Sequence, residues 1–201
     1  ATSGLVGVYT VTVTLNSCTA VATTSVSVNA SITPNLSSNS PVCLGGPLNL
    51  TCSNGVSWSW TGPNGFTSSL QSPSLSPSTA AMSGVYTASV TDAAGCSGTG
   101  SLTVTVNPLP TPTATNTGPY CAGTTISLSS SGGGTYSWSG PGGFASTSQN
   151  PTLGSSTTAM SGAYTVTVTL NGCTATATTN VVVNPLPVPT ADRKSTRLNS
   201  S

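Results

Sequence analysis

Along most of this chain, apolar side chains alternate with hydroxyl-bearing ones. In "AYTVTVTL" (163–170), Tyr164, Val166 and Val168 fall on one face of an extended strand and Thr165, Thr167 and Thr169 on the other. "VYTASVTD" (85–92) repeats the pattern with Tyr86, Ala88 and Val90 against Thr87, Ser89 and Thr91. Further rows of the same period are Leu48, Leu50 and Cys52, matched by Ile126, Leu128 and Ser130, and Leu102, Val104 and Val106. Trp58 with Trp60, matched by Tyr136 with Trp138, completes them. No three-four spacing competes, so the pattern predicts strands with one wet side and no helices.

The pattern recurs. Cys43, Trp60, the run Gly62, Pro63, Gly65, Phe66 and the run Met82, Ser83, Gly84, Tyr86 return as Cys121, Trp138, Gly140, Pro141, Gly143, Phe144 and Met160, Ser161, Gly162, Tyr164, a period of about 78 residues. "GVYTVTVTLNSC" (7–18) matches "GAYTVTVTLNGC" (162–173), so residues 1–30 read as the last two strands of one unit. Whole units follow at 31–107 and 108–187, and 188–201 is a linker and tail. "NPLP" at Asn107 and at Asn184 marks the seams, where two prolines favour stiff, extended spacers. "GPNGF" and "GPGGF" after the Trp strand are turn chemistry, with φ preset by Pro and positive φ open to Gly.

About seven short strands per unit, a Trp on the third and a Tyr opening the penultimate one predict an all-β fold of tandem immunoglobulin-like β-sandwich domains. Tyr86 and Tyr164 then form the tyrosine corners. Trp58, Trp60, Tyr86, Tyr136, Trp138 and Tyr164 are the expected core aromatics. Phe66 and Phe144, at the turn, are assigned to packing. The hairpin in residues 1–29 lacks an opposing sheet for Tyr9, Val11, Val13, Val26 and Val28, and is expected to be the least protected part of the chain.

Charge changes the functional picture. The chain has three Lys plus Arg, two Asp plus Glu and no His. All three cations, Arg193, Lys194 and Arg197, sit in the closing "ADRKSTRLNSS", as does Asp192, leaving Asp92 as the one charged side chain of the preceding body. General acid/base chemistry needs groups that titrate near neutrality, and Ser or Thr nucleophiles need an adjacent base; the expectation is no enzyme and no catalytic residue. Phosphate neutralisation requires Lys and Arg, so nucleic acid is not an expected partner. Metal and cofactor sites are not expected either, because clustered Cys, His or carboxylate ligands are absent. No apolar run approaches the roughly 20 residues of a membrane-spanning helix. "NLS" at Asn35 and "NLT" at Asn49 fit the glycosylation pattern but are weak signals.

The six cysteines suggest an oxidising compartment. Cys43 with Cys96 and Cys121 with Cys173 recur as a pair in each unit, and the expected bridges are these intradomain pairs. The competing arrangement links neighbouring units, for instance Cys43 to Cys173, because in this topology Cys96 and Cys173 belong to the pole opposite Cys43 and Cys121. Cys18 is read as having lost its partner, and Cys52 as a buried free thiol.

The combined pattern, from "C.G....L.L" through "W.W.GP.GF" and "M.SG.Y...VT...GC" to "NP.P", resembles the Ig-like and PKD-like repeats of long secreted and surface proteins of Bacteroidota. The resemblance covers both full units and the N-terminal stretch. It implies export, cell-surface or extracellular location, and a structural or adhesive role beside neighbouring Ig-like domains. A glycan or a surface protein would be the ligand class. The alternatives are a glycan-binding module, with the aromatic pairs as platform, and spacer domains of a secreted hydrolase. The tail from Asp192 to Ser201 resembles the in-frame translation of a common sequencing adapter, and is therefore set apart from the fold.

Overall fold

The computed structural model describes residues 5–189, so the tail that carries the cations lies outside the described residues. The chain divides between Asn107 and Pro108 into two compact units. It opens with a two-stranded hairpin, β1 (Gly7–Leu15) and β2 (Cys18–Val26). The first sandwich follows with β3 (Asn35–Ser38), β4 (Val42–Cys43), β5 (Leu48–Ser53), β6 (Ser57–Thr61), β7 (Thr67–Ser68), β8 (Ser74–Leu75), β9 (Gly84–Thr91), β10 (Ser97–Val104) and β11 (Val106–Asn107). The second repeats it as β12 (Thr113–Asn116), β13 (Tyr120–Cys121), β14 (Ile126–Ser131), β15 (Thr135–Gly140), β16 (Phe144–Ser146), β17 (Thr152–Leu153), β18 (Gly162–Leu170), β19 (Cys173–Val181) and β20 (Val183–Asn184).

Both sandwiches have one topology. A three-stranded sheet, β3-β5-β8 or β12-β14-β17, faces a four-stranded one, β10-β9-β6-β7 or β19-β18-β15-β16. The first strand then changes sheets: after the β3 segment, β4 runs parallel to β11, with Val42 opposite Val106 and Cys43 opposite Asn107. In the second unit Tyr120 lies opposite Val183 and Cys121 opposite Asn184. This is the strand order of an immunoglobulin-like sandwich, and each unit is one.

The alternation read from the sequence is what closes each core. Along β9 the buried positions are Tyr86, Ala88 and Val90, and along β18 they are Tyr164, Val166 and Val168. Leu48, Leu50 and Cys52 come across from β5 to meet Trp60 and the β9 row, and Ile126 and Leu128 meet Trp138 and the β18 row. Thr and Ser take the intervening positions, where a hydroxyl stays hydrated and can bridge strands, as Thr165 and Thr178 do across β18 and β19 at 2.9 Å.

The N-terminal hairpin has the register of β18–β19. Gly7 pairs with Val26 and Leu15 with Cys18, as Gly162 pairs with Val181 and Leu170 with Cys173. Its two-residue turn has φ of 49° at Asn16 and 69° at Ser17, beside 50° at Asn171 and 80° at Gly172. Positive φ at both central residues is the turn whose twist matches that of the flanking strands. Every residue of β1 and β2 is exposed.

Candidate functional site

The two sequence runs that recur most strictly, "GP.GF" and "M.SG.Y", meet in space at one corner of each sandwich. The Tyr86 ring lies flat over Gly62, where an added Cβ would sit 2.5 Å from the ring; Gly140 stands in the same relation to Tyr164. Only glycine admits this approach. Pro63 packs on Gly84 and Pro141 on Gly162, where an added Cβ would come within 2.8 and 2.9 Å of the proline ring. Phe66 meets Tyr86 edge-on at 5.5 Å, and Phe144 meets Tyr164 likewise at 5.5 Å. The phenol then closes the corner, with Tyr86 donating to the Met82 carbonyl and Tyr164 to the Met160 carbonyl, each at 3.0 Å. Ser83 Oγ accepts the Val106 amide and Ser161 Oγ the Val183 amide, tying the last strand to the same corner. Burial raises the Tyr86 and Tyr164 phenols above their ordinary range, since the phenolate would lose hydration.

The remaining aromatics divide between core and surface. Trp60 and Trp138 are fully buried, whereas Trp58 and Tyr136 are half-buried partners of the core. Trp58 Nε1 donates to the Asn54 carbonyl at 3.0 Å. Trp138 Nε1 donates to the Gln149 carbonyl at 3.3 Å, while Trp60 Nε1 is buried without a partner. A substitution between the repeats accounts for this difference. In the second unit Asn150 Oδ1 accepts the Ser130 amide, leaving the Gln149 carbonyl for the indole. In the first, Ser72 takes the place of Asn150, and the Gln71 carbonyl accepts the Cys52 amide instead.

Asp92, the one charged side chain among the described residues, builds its own turn. Its Oδ1 accepts the amides of Ala94 at 2.9 Å and Cys96 at 2.8 Å. Ser78 and Ser156, which sequence reasoning missed, are buried and donate to the Cys43 and Cys121 carbonyls at 3.0 and 3.1 Å. They hold the bend after β4 and β13. Their recurrence at the common period was the available signal.

The intradomain disulfides are not formed. Cys96 and Cys121 are free thiols, as are Cys18 and Cys52, whereas Cys43 and Cys173 are disulfide-bonded. The reason is geometric. Cys43 lies opposite Asn107 at the end of the last strand, and Cys96 precedes the start of that strand run. About ten residues at 3.3 Å each put them on the order of 30 Å apart, far beyond the roughly 7 Å limit between bridged Cα atoms. Cys121, opposite Asn184, and Cys173 are separated in the same way. Cys52 is buried among apolar neighbours, and its thiol is raised by desolvation.

The clefts on the described surface are open ones. One is lined by Asn116, Gly118, Pro119, Asn180, Val182 and Asn184, and another by Ser59, Thr67, Ser68 and Ser69. A third lies against the hairpin at Tyr9, Thr10, Val11, Ala22, Thr23 and Thr24. Among the described residues no group of His, Cys, Asp or Glu is placed to hold a metal, and no helix is long and apolar enough to cross a membrane.

No protein-family model matches the chain, and no curated protein does. Solved structures do resemble it. Three N-terminal domains of the Highly Immunogenic Outer Capsid protein of bacteriophage RB49 match with 20% identity and a TM-score of 0.43, over 75% of this chain and 59% of that one. A marsupial T cell receptor matches with 19% identity and a TM-score of 0.49, over 77% and 74%. A mouse coronavirus receptor-binding domain in complex with its murine receptor matches with 12% identity and a TM-score of 0.49, over 77% and 100%.

Proposed function

We propose that this chain is a non-catalytic structural and adhesive stretch of a larger exported cell-surface protein, built from tandem Ig-like units that hold and space what they connect. The observation that carries the reading is the corner of each sandwich. The residues that recur between the units, Gly62, Pro63, Phe66, Met82, Gly84 and Tyr86 with their counterparts, are engaged with one another, and the outward faces carry Thr and Ser. What recurs is therefore a fold. The disulfide-bonded Cys43 and Cys173 fit an oxidising, extracellular setting. Neighbouring Ig-like domains are the first partners, and a glycan or surface protein the second. Within this reading the chain is one of the Ig-like or PKD-like repeats of a Bacteroidota surface protein, and Asp192–Ser201 is foreign to it.

Force spectroscopy on the chain in reducing buffer tests the proposal. Two separate unfolding steps are expected, each releasing one unit of about 78 residues at roughly 3.5 Å per residue. A single step spanning both units, or turnover of a polysaccharide by the purified chain, would overturn it. A glycan-binding role draws on the half-buried Trp58 and Tyr136. It is favoured if polysaccharide shifts tryptophan fluorescence saturably and Trp58→Ala removes the shift. A spacer role beside a secreted hydrolase is decided by the complete reading frame, which also shows whether the codons of the tail continue into a further domain.

A further inference from the structure

We propose that Cys96 is one half of a covalent staple between consecutive repeats, its partner being the cysteine that the preceding repeat carries at the place of Cys43 and Cys121. The proposal rests on reading residues 1–30 as the end of that repeat. Each sandwich has an early cysteine, Cys43 or Cys121, and a hairpin cysteine, Cys96 or Cys173, at opposite poles and out of reach of one another. Cys43 is bonded at the early place and Cys173 at the hairpin place, while their counterparts Cys121 and Cys96 are free thiols. Each place therefore takes part in a bond in one unit and stands open in the other.

The surroundings of Cys96 identify what it faces. Half-buried, it lines an open cleft of about 480 Å³ together with Ser97, Val6 and the stretch 28–31. Gly98 seats the continuation of that stretch: an added Cβ there would collide with the Ile32 carbonyl, so only glycine lets the chain cross β10 beside the cysteine. The second unit has Ala175 at this place. Register then locates the partner. In each sandwich the early cysteine lies directly opposite an asparagine of the last strand, Cys43 opposite Asn107 and Cys121 opposite Asn184. Asn29 is the counterpart of both asparagines, and it lines the cleft that holds Cys96. A cysteine held opposite Asn29 at one strand spacing, roughly 4.8 Å, comes to the mouth of that cleft.

The bond closes by thiol–disulfide exchange. The Cys96 thiolate attacks the sulfur of an oxidant such as glutathione disulfide and releases one glutathione; the partner thiolate then attacks the mixed disulfide, forming the bond between the two cysteines and releasing the second. Both thiol hydrogens end on the two glutathiones. The staple limits how far one repeat can be pulled from the next.

Completing the preceding repeat tests this. Residues 108–155 are fused ahead of Ala1, a junction that keeps the repeat in phase because Gly7 is the counterpart of Gly162. Cys121→Ser in the original second unit leaves the added early cysteine unique for mapping. After folding in a glutathione redox buffer, nonreducing peptide mapping is expected to recover Cys96 joined to the added cysteine, with loss of its alkylation. In the unextended chain Cys96 is expected to be alkylated. A docked extension, recognised by slow amide exchange in β1, with Cys96 still alkylated overturns the proposal. So does an added cysteine joined to Cys18. If the extension does not dock, Asn29→Cys in the unextended chain decides: a bridge to Cys96 is expected, and a Cys96 that stays free overturns the proposal. The force experiment above uses reduced chains, so the two readings fail separately.

Discussion

The hairpins β1–β2 and β18–β19 are nearly the same sequence in two surroundings. Both have the two-residue turn, the same pairing register and the same tyrosine hydrogen bond to the carbonyl four residues upstream: Tyr9 to Leu5 at 3.0 Å, Tyr164 to Met160 at 3.0 Å. Only the second has β15 along its edge and β14 across its face. Strand, turn and tyrosine corner are thus local products of the sequence, while burial is conferred by whatever lies opposite. A β-sheet face is only half of a core, and the other half here comes from strands that enter the chain some 40 residues earlier, a contact of long sequence range.

The largest expected consequence is in amide exchange. Amides in β18 are expected to exchange only through unfolding of the sandwich and those in β1 through local fraying. With a domain stability of about 5 kcal/mol the rates differ by roughly three to four orders of magnitude. Equal protection in dilute solution would break the comparison. Next come the tyrosines. Tyr164→Ala removes a fully buried ring and its hydrogen bond and is expected to cost about 3–5 kcal/mol in denaturant unfolding. Tyr9→Ala, at an exposed site, is expected to cost under about 0.5 kcal/mol.

A smaller effect separates the turns. Ser17 has φ of 69°, where a side chain costs about 1–2 kcal/mol, and Gly172 occupies the same place at 80°. Ser17→Gly is expected to raise the hairpin population seen by NMR, and Gly172→Ser to lower the melting temperature of the second unit. The smallest is the alkaline limb. The buried phenols of Tyr86 and Tyr164 are held protonated above their ordinary value of 10.0. Between that value and the raised one the native state binds more protons than the unfolded chain, so their contribution is complete below pH 10.0 and falls as pH rises beyond it. Spectrophotometric titration of the phenolates in parallel with unfolding checks the sign.

Much of this was legible without coordinates. Period-two alternation located the strands, Trp60 and Trp138 marked the third strand, and the "GP.GF" runs supplied turns with positive φ at Asn64 and Gly65 and at Gly142 and Gly143. For the cysteines, the preferred pairings of Cys43 with Cys96 and Cys121 with Cys173 rest on recurrence. The opposite-pole argument that favours the competing arrangement is also present in the sequence, and it agrees with free Cys96 and Cys121 and bonded Cys43 and Cys173. Cys43 and Cys96 recur together, yet they occupy opposite poles of one strand run, as a count of residues from Cys96 to Asn107 reveals once β4 is placed beside β11. The corner was legible only in pieces. That Gly62 exists to admit Tyr86, and Gly84 to admit Pro63, depends on two turns meeting across the sandwich.

By itself the sequence determined whatever is decided within a few residues: strand period, turn type, hairpin register and the phenol bond to the carbonyl four positions back. It also set the expectation of a non-catalytic chain, because Asp92 is the one charged side chain ahead of the closing tail and acid/base chemistry draws on paired titrating groups. Tertiary structure alone decided which faces became core, which cysteines could bond and why Trp60 keeps an unpartnered Nε1 while Trp138 does not. Those outcomes turn on distances between segments far apart in the chain, and such distances exist only once both sheets have closed on each other.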